Sequence, residues 1–399
     1  MSQGQIDMTS FDKVLKDVYL GPIRTQLNET TVLMTRIAKT GDYIDASGRK
    51  AIIPVQFGWA QGIGARADGG ALPTVVESNY QDSTVTIKHN YMRIKITGPT
   101  MRASKNDKGA FAKAVDSEIK SGTMALKKDI NRQMFSDGTG KIAQVNGVVS
   151  SSATVTVDNP GTRNLYAGMR IDIYLATSKE IDSATILSVD SDTQITLAAT
   201  GSCTDNAWIY REDSYGTAAA PLEMNGLRGL IDDGTYLTTL QGLLRATYGA
   251  GYASTAYANS GTNRTLTLAL MQKCYTDVEQ AGYKPTLYSS FGIRDAYVAL
   301  LVSDKRFVNT MTLDGGFEAV KFNDRPLIPD SQCWKNTIYF SVDELLSIHR
   351  QADFSWADED GSILKYVSGY DAYEAFMYYD AEFANERPNA MSVLKDITE

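Results

Sequence analysis

The sequence predicts an α+β protein with a small all-β unit set into its middle. Three observations carry this. Residues 105–137 repeat apolar side chains at helical spacing over an unusual length. Residues 147–213 hold almost no lysine and are dominated by Thr, Ser and Val in short runs separated by turn residues. From residue 218 onward, helical and strand patterns alternate.

The bulk properties restrict the function before any element is placed. The chain has 399 residues, 43% hydrophobic and 22% charged, enough for roughly two to three domains. No apolar run approaches the ~20 residues of a membrane span, and the polar first ten residues lack a secretory pattern. Both features predict a soluble protein kept in a cytoplasm. Cys203, Cys274 and Cys333 are too scattered for a disulfide framework or a metal set. His89 and His349 are the only histidines, which starves most acid–base and metal chemistry. A net charge of −8 argues against a dedicated DNA-reading domain. That charge is uneven: residues 88–141 carry twelve Lys/Arg against five Asp/Glu, and residues 342–399 carry thirteen acids against four bases. Such a split reflects differently solvated faces, or basic and acidic regions of neighbouring copies that meet.

In chain order, residues 1–49 read as an arm. Phe11, Val14, Leu15, Val18 and Tyr19 share one helical face, Gly21-Pro22 stops the helix, and the rest has too few apolar residues for a core. Its buried face must lie on the body of this chain or on a neighbour. Residues 50–98 read as a long two-stranded loop: a strand at 51–57 with Pro54 at an edge, a glycine-rich tip at 58–70, and a returning strand at 83–97. The apolar alternation of that return slips by one residue, which predicts a bulge near Met92 or Arg93. A lone ribbon is marginal in water, so another surface should hold it.

Phe111, Val115, Ile119, Gly122, Leu126, Ile130 and Met134 then mark one face of a helix over 105–137. Ser104 and Asn106 are available caps and Gly138 a stop. Its length would be close to ~50 Å, well beyond an ordinary helix. In 147–213 five strands are expected, at 153–157, 170–175, 184–190, 193–198 and 207–211, as a small β-barrel. Beyond it, helices are expected at 265–281 and 292–301, and strands at 286–289, 319–322, 327–328, 337–341, 345–349 and 372–383. Residues 248–262, rich in Gly, Tyr and Ser, read as a mobile loop.

No catalytic, metal or cofactor site emerges. Gly138-Thr139-Gly140-Lys141 lacks the upstream glycine and following Ser/Thr of a phosphate loop, and it follows a helix where a dinucleotide site needs a strand. There is no His-Glu-x-x-His and no Gly-x-Ser-x-Gly. His89 reads as a surface or hydrogen-bonded residue, the cysteines as small buried ones. Asp358, Asp360 and Gly361 open like a calcium loop without its remaining ligands.

The order of parts, together with Asn225-Gly226-Leu227-Arg228-Gly229-Leu230-Ile231, Phe322-Asn323-Asp324-Arg325-Pro326-Leu327-Ile328-Pro329-Asp330 and Pro388-Asn389-Ala390-Met391-Ser392-Val393-Leu394, resembles the major capsid proteins of tailed bacteriophages with the Hong Kong 97-type fold. The resemblance covers essentially the whole chain outside residues 147–213. It implies an N-terminal arm (1–49), an extended loop (50–98), a spine helix and the start of a peripheral domain (99–146), the β insertion (147–213), a return (214–227), an axial domain (228–317) and shared strands (318–399).

The implied function is structural and non-enzymatic: hexamers and pentamers of an icosahedral head, assembled in a host bacterial cytoplasm, enclosing double-stranded DNA. Trp59, Ile63, Arg66 and Asp68 of the loop, and Phe11, Leu15 and Tyr19 of the arm, are the implied contacts with neighbouring subunits. Phe111, Val115, Ile119, Leu126 and Ile130 are the packing face of the spine. Twenty-two tyrosines against four tryptophans suit wet, extensive contacts. The arm begins almost at the first residue, which implies a separate scaffolding protein or a trimmed chain; a portal and a decoration protein are further implied partners. No lysine lies between Lys50 and Lys88, so isopeptide welding at the loop tip is not expected. Two alternatives stay open: an encapsulin-type compartment shell, and a carbohydrate-binding or adhesion protein using Tyr166, Tyr174 and Trp208.

Overall fold

The computed structural model describes residues 32–40, 43–45, 50–103, 108–303, 310–312, 318–358 and 364–399. Phe11, Leu15 and Tyr19, the caps Ser104 and Asn106, and Asp360 and Gly361 lie outside the described residues, as do the side chains of Phe111 and Val115.

The tail of the arm forms α1 (Val32–Thr40) and β1 (Tyr43–Asp45). Leu33 and Ile37, four apart on one helical face, are buried in this chain's own core. The backbone N–H of Leu33 donates to Asp330 (3.2 Å), and Arg36 pairs with Asp343 (2.8 Å). This part of the arm therefore packs on its own body.

The ribbon consists of β2 (Lys50–Gly58) and β3 (Asn79–Thr86), paired antiparallel with Pro54 opposite Asp82. The expected single returning strand is divided at Ile87, and β4 (Lys88–Thr97) begins a different sheet. No bulge occurs at Met92 or Arg93: β4 runs in unbroken register from Ala372↔Thr97 to Ala381↔Lys88. The phase slip is real but has another cause. Val85 and Ile87 face one core, and after the strand changes sheets Ile94 and Ile96 face another, leaving Tyr91 exposed.

After the short helix α2 (Gly98–Ala103), the spine α3 runs over Lys108–Gln133, ~39 Å at ~1.5 Å per residue. It is shorter than expected and ends before Gly138, because Phe135 and Ser136 already turn onto the carbonyls of Arg132 and Gln133. It lies across β4, where a Cβ added to Gly122 would come within 2.7 Å of the Met92 methyl. Ile119 is half-buried, and Leu126 and Ile130 are buried as expected.

Six strands follow: β5 (Ala143–Gln144), β6 (Val149–Thr156), β7 (Arg170–Leu175), β8 (Ser178–Ser191), β9 (Gln194–Cys203) and β10 (Trp208–Arg211), in the order β5-β10-β7-β8-β9-β6. An antiparallel bridge between Val145 and Val157 joins the two ends and closes the sheet. The closed sheet has its own apolar core, which includes Val155, Ile171, Ile173, Ile186, Ile195 and Ile209. It differs from the expected five strands at its start, where the brief β5 carries too little pattern to be read. Gly138 and Gly140 adopt positive φ in the turn that enters it, so the glycine pair shapes a corner and no helix follows.

The rest of the body contains α4 (Leu227–Leu230), a hairpin of β11 (Thr239–Leu240) and β12 (Leu243–Leu244), α5 (Arg245–Tyr248), β13 (Thr255–Tyr257), α6 (Leu268–Gln280), β14 (Thr286–Ser289) and α7 (Phe291–Ser303). Then come β15 (Thr310–Thr312), β16 (Glu318–Phe322), β17 (Arg325–Pro329), β18 (Ile338–Ser341), β19 (Leu346–Trp356), β20 (Lys365–Tyr366), β21 (Ala372–Asn385) and β22 (Ser392–Leu394). One sheet runs β13-β22-β18-β14-β17-β16-β15; the other runs β1-β19-β21-β20, with β4 also on β21. Helix α6 is capped by Thr267, whose hydroxyl accepts from the Leu270 N–H, and it buries Met271, Cys274 and Val278 on one face. The expected mobile loop at 248–262 instead holds β13 and the fully buried Tyr252 and Ser254, because its aromatic residues have a core to enter. All three cysteines are buried and free.

Candidate functional site

Four apolar side chains at the ribbon's tip stand out. Trp59 is 84% exposed, Ile63 92%, Leu72 88% and Val75 80%. Burying such groups would be worth ~1.5–3 kcal/mol each, and within this chain that gain is not taken. Arg66 and Asp68 are exposed on the same tip. The Arg66 guanidinium donates to the carbonyls of Ala71 (2.9 Å) and Ala65 (3.1 Å), which folds the loop back on itself. Gly69, at φ +70, completes the turn closed by the Gly70 N–H on the Ala67 carbonyl. A single further backbone bond, Gln61 N–H to Val76 carbonyl at 2.9 Å, ties the two sides.

The ribbon's base is different. Phe57 stacks on Tyr248 at 4.1 Å and meets Tyr252 edge-on at 5.6 Å. Ser83 hydrogen-bonds Gln241 and Tyr252, and the Thr84 N–H donates to the Gln241 carbonyl at 2.6 Å. The other surface expected for the ribbon is thus, at its base, this chain's own α5 region. Only the tip remains uncovered.

The uneven charge also finds partners inside the chain. Basic β4 pairs with acidic β21, bringing Arg93 onto Glu374 and His89 onto Asp380 (2.8 Å). Contact between neighbouring copies is not needed to explain the split. His89 is, as expected, an exposed hydrogen-bonded residue.

Several buried polar groups escaped the sequence reading. Asp129 on α3 accepts from Arg132 (3.0 Å) and from Arg211 on β10 (3.0 Å), joining the spine to the closed sheet. Burial alone would raise its pKa, yet the Arg132 and Arg211 charges outweigh it and hold the carboxyl well below the usual range. Asp232 is fully buried between Arg245 (3.3 Å) and Lys395 (3.1 Å). The Arg228 guanidinium lies 3.7 Å from the Trp334 ring centroid and 4.0 Å from that of Tyr236. Their one sequence signal was Asn225–Ile231, already conspicuous in composition. The Asn225 N–H donates to the buried Glu382 at 2.7 Å, and burial pushes the Glu382 carboxyl up to about 8.

The aromatic residues considered for sugar binding are mostly occupied. Tyr174 stacks on Tyr215 at 4.1 Å, and Trp208 packs against Trp334 and beneath Lys141. Among the described residues, no three His, Cys, Asp or Glu gather as a metal set, and no helix is long and apolar enough to cross a membrane.

No family model matches the sequence, and no curated protein matches it. Solved structures do. The capsid asymmetric unit of cyanophage A-1(L) matches with a TM-score of 0.62 at 13% identity, over 99% of this chain and 100% of that one. The capsid of an empty GTA particle matches with a TM-score of 0.51 at 8% identity, over 98% of each. The encapsulin SrpI of Synechococcus elongatus PCC 7942 has a TM-score of 0.47 at 8% identity, over 98% of this chain and 95% of that one, too slight a likeness to argue from. At these identities the likeness is one of fold. Along its whole length, this chain has the fold of viral capsid subunits, as the order of its parts implied.

Proposed function

We propose that this chain is the major capsid protein of a tailed bacteriophage, a structural subunit whose copies form the hexamers and pentamers of an icosahedral head around double-stranded DNA. The observation that carries this reading is the end-to-end match in fold to the cyanophage capsid subunit. The uncovered ribbon tip supports it, because a closed shell supplies every copy with a neighbour to receive Trp59 and Ile63. Residues 1–49 act as the arm, with Phe11, Leu15 and Tyr19 on an adjacent subunit. Residues 228–317 surround the capsomer centres, and the closed β sheet is an insertion on the outer face. The subunit has no catalytic role, cofactor or metal. A separate scaffolding protein guides assembly, and a portal occupies one vertex.

Negative-stain microscopy of the purified protein tests this directly. Uniform shells tens of nanometres across are expected, and a monomer under all assembly conditions would overturn the reading. The loop contact is tested by Arg66→Glu with Asp68→Arg: shells should form poorly or lose resistance to heating, and unchanged shells would remove the tip from the interface.

A further inference from the structure

Where the closed sheet meets the body, a cavity of about 10 Å³ is lined by Arg132, Ser136, Lys141, Arg163, Gln332 and Trp334. This is room for one water-sized species. Four polar atoms of these residues are buried without a hydrogen-bond partner: Arg132 Nη1, Ser136 Oγ, Arg163 Nε and Gln332 Oε1. Arg132 itself is only 6% exposed. Leaving several buried donors unsatisfied costs about 1–3 kcal/mol each, so their convergence on one small space points to an occupant.

The charges around the cavity give that occupant its sign. Three cationic side chains line it, and no carboxylate does. Asp129 is bound by Arg132 and Arg211, and Asp137 accepts from Thr139. Among the described residues, no carboxylate pairs directly with Arg163. Burial lowers its guanidinium pKa, opposed only in part by the more distant Asp330 and Glu399. Those two are engaged elsewhere: Asp330 by the N–H groups of Leu33 and Gln332 and by Asn131, Glu399 by Ser290 and the Asn336 N–H.

We propose that this cavity is a binding site for one small monovalent anion of the chloride class, which bridges Arg163 of the closed sheet to Arg132 and Ser136 of the spine. A water molecule has two lone pairs to offer, fewer than the two N–H groups and one O–H that converge here, whereas a halide accepts from all of them. The Gln332 amide joins as a donor when its O and N exchange places, a turn that leaves its shape unchanged. The site is independent of the shell reading, since every lining residue belongs to one chain. Its effect is to fix the closed sheet against the body.

The test is thermal unfolding of the full chain in sodium chloride against sodium isethionate at constant ionic strength. The midpoint should rise by a few degrees with chloride and then saturate, as for any ligand of the native state. Bromide should replace chloride and produce a saturable quenching of Trp334 fluorescence, distinct from the linear collisional quenching of the exposed Trp59. Arg163→Gln should abolish both saturable effects. If that variant does not fold, Ser136→Ala, which removes a single donor, should weaken the apparent chloride affinity several-fold. A wild-type midpoint indifferent to anion identity would mean a buried water only and would overturn the proposal. So would an anion dependence that survives in whichever of these variants folds.

Discussion

The closed sheet of residues 143–211 and the ribbon of residues 50–86 are both β excursions from one body, yet they solve the burial problem in opposite ways. The closed sheet brings its end strands together at Val145 and Val157 and fills its inside with isoleucine and valine. It leaves few unpaired edges and needs no other surface. The ribbon has two strands, one turn and no interior. Its base borrows Tyr248 and Tyr252 from the body, and its tip keeps Trp59, Ile63, Leu72 and Val75 in solvent. Alternating apolar residues therefore secure a self-sufficient unit only when strand number and register allow closure. Otherwise they create an obligation that a second molecule can meet.

The strongest way to break this contrast is to remove the body that carries both excursions. A Cβ on Gly226 would stand 2.2 Å from the Gln133 carbonyl oxygen and 2.4 Å from the Met134 carbonyl carbon, with backbone on both sides and no flexible group to yield. Gly226→Ala is expected to destabilise the body by on the order of 4 kcal/mol. Limited proteolysis should still leave a protected fragment spanning the closed sheet, because that sheet has a separate core. Simultaneous loss of both would show that the sheet depends on the body after all.

Next in size is Ile173→Ala, which hollows the interior of the closed sheet and should cost about 2–4 kcal/mol in denaturant unfolding. The ribbon has no equivalent position, since it has no interior.

Glu382 addresses the junction from which the ribbon's neighbouring strand β4 departs. Its folded-state pKa is raised from the usual 4.5 to about 8 by burial, so the folded state holds its proton more tightly than the unfolded chain. Its contribution is complete below pH 4.5 and is lost as pH rises through about 8. The loss is on the order of 3 kcal/mol. Glu382→Gln keeps an acceptor for the Asn225 N–H and should flatten the fall in stability between those limits. His349, its partner in the β19–β21 register, has a pKa lowered by burial and works in the opposite sense, losing stability as pH falls below 6.5. Comparing the variant with wild type across the range separates the two groups.

The smallest effect on the isolated subunit belongs to Trp59→Ala. With no intramolecular contact to lose, it should change subunit stability by less than ~0.5 kcal/mol while lowering the yield or heat resistance of shells. An equal effect on subunit and shell would show that the tip already has a partner within its own chain.

Much of the fold was readable because it rests on local pattern. The spine followed from Leu126 and Ile130 at helical spacing, and α6 from Met271, Cys274 and Val278. The quoted motifs were readable for a related reason. In Phe322–Asp330, Asn323 and Asp324 both take positive φ to form a two-residue hairpin turn, which few other residues accept. In Asn225–Ile231, Gly226 is required by the approach of the helix end.

What was not readable involved partners distant in the chain. The slip at residues 87–94 was visible, but a bulge and a change of sheet leave the same trace in a sequence. Residues 248–262 looked like a loop because glycine and serine dominate locally, and only the core around Tyr252 makes them ordered. The Asp129, Arg132 and Arg211 cluster joins residues up to 82 positions apart, beyond any motif.

By itself, the sequence determined the class of fold, the order of its parts, the long spine, the all-β unit and the shortage of catalytic groups, since periodicity and composition act over a few neighbouring residues. Tertiary structure alone decided that the all-β unit closes, that the basic and acidic segments pair within one chain, that three cations converge beside Trp334, and that the ribbon is held at its base but bare at its tip. Those outcomes depend on which distant surfaces exclude water from one another, and no local pattern encodes that.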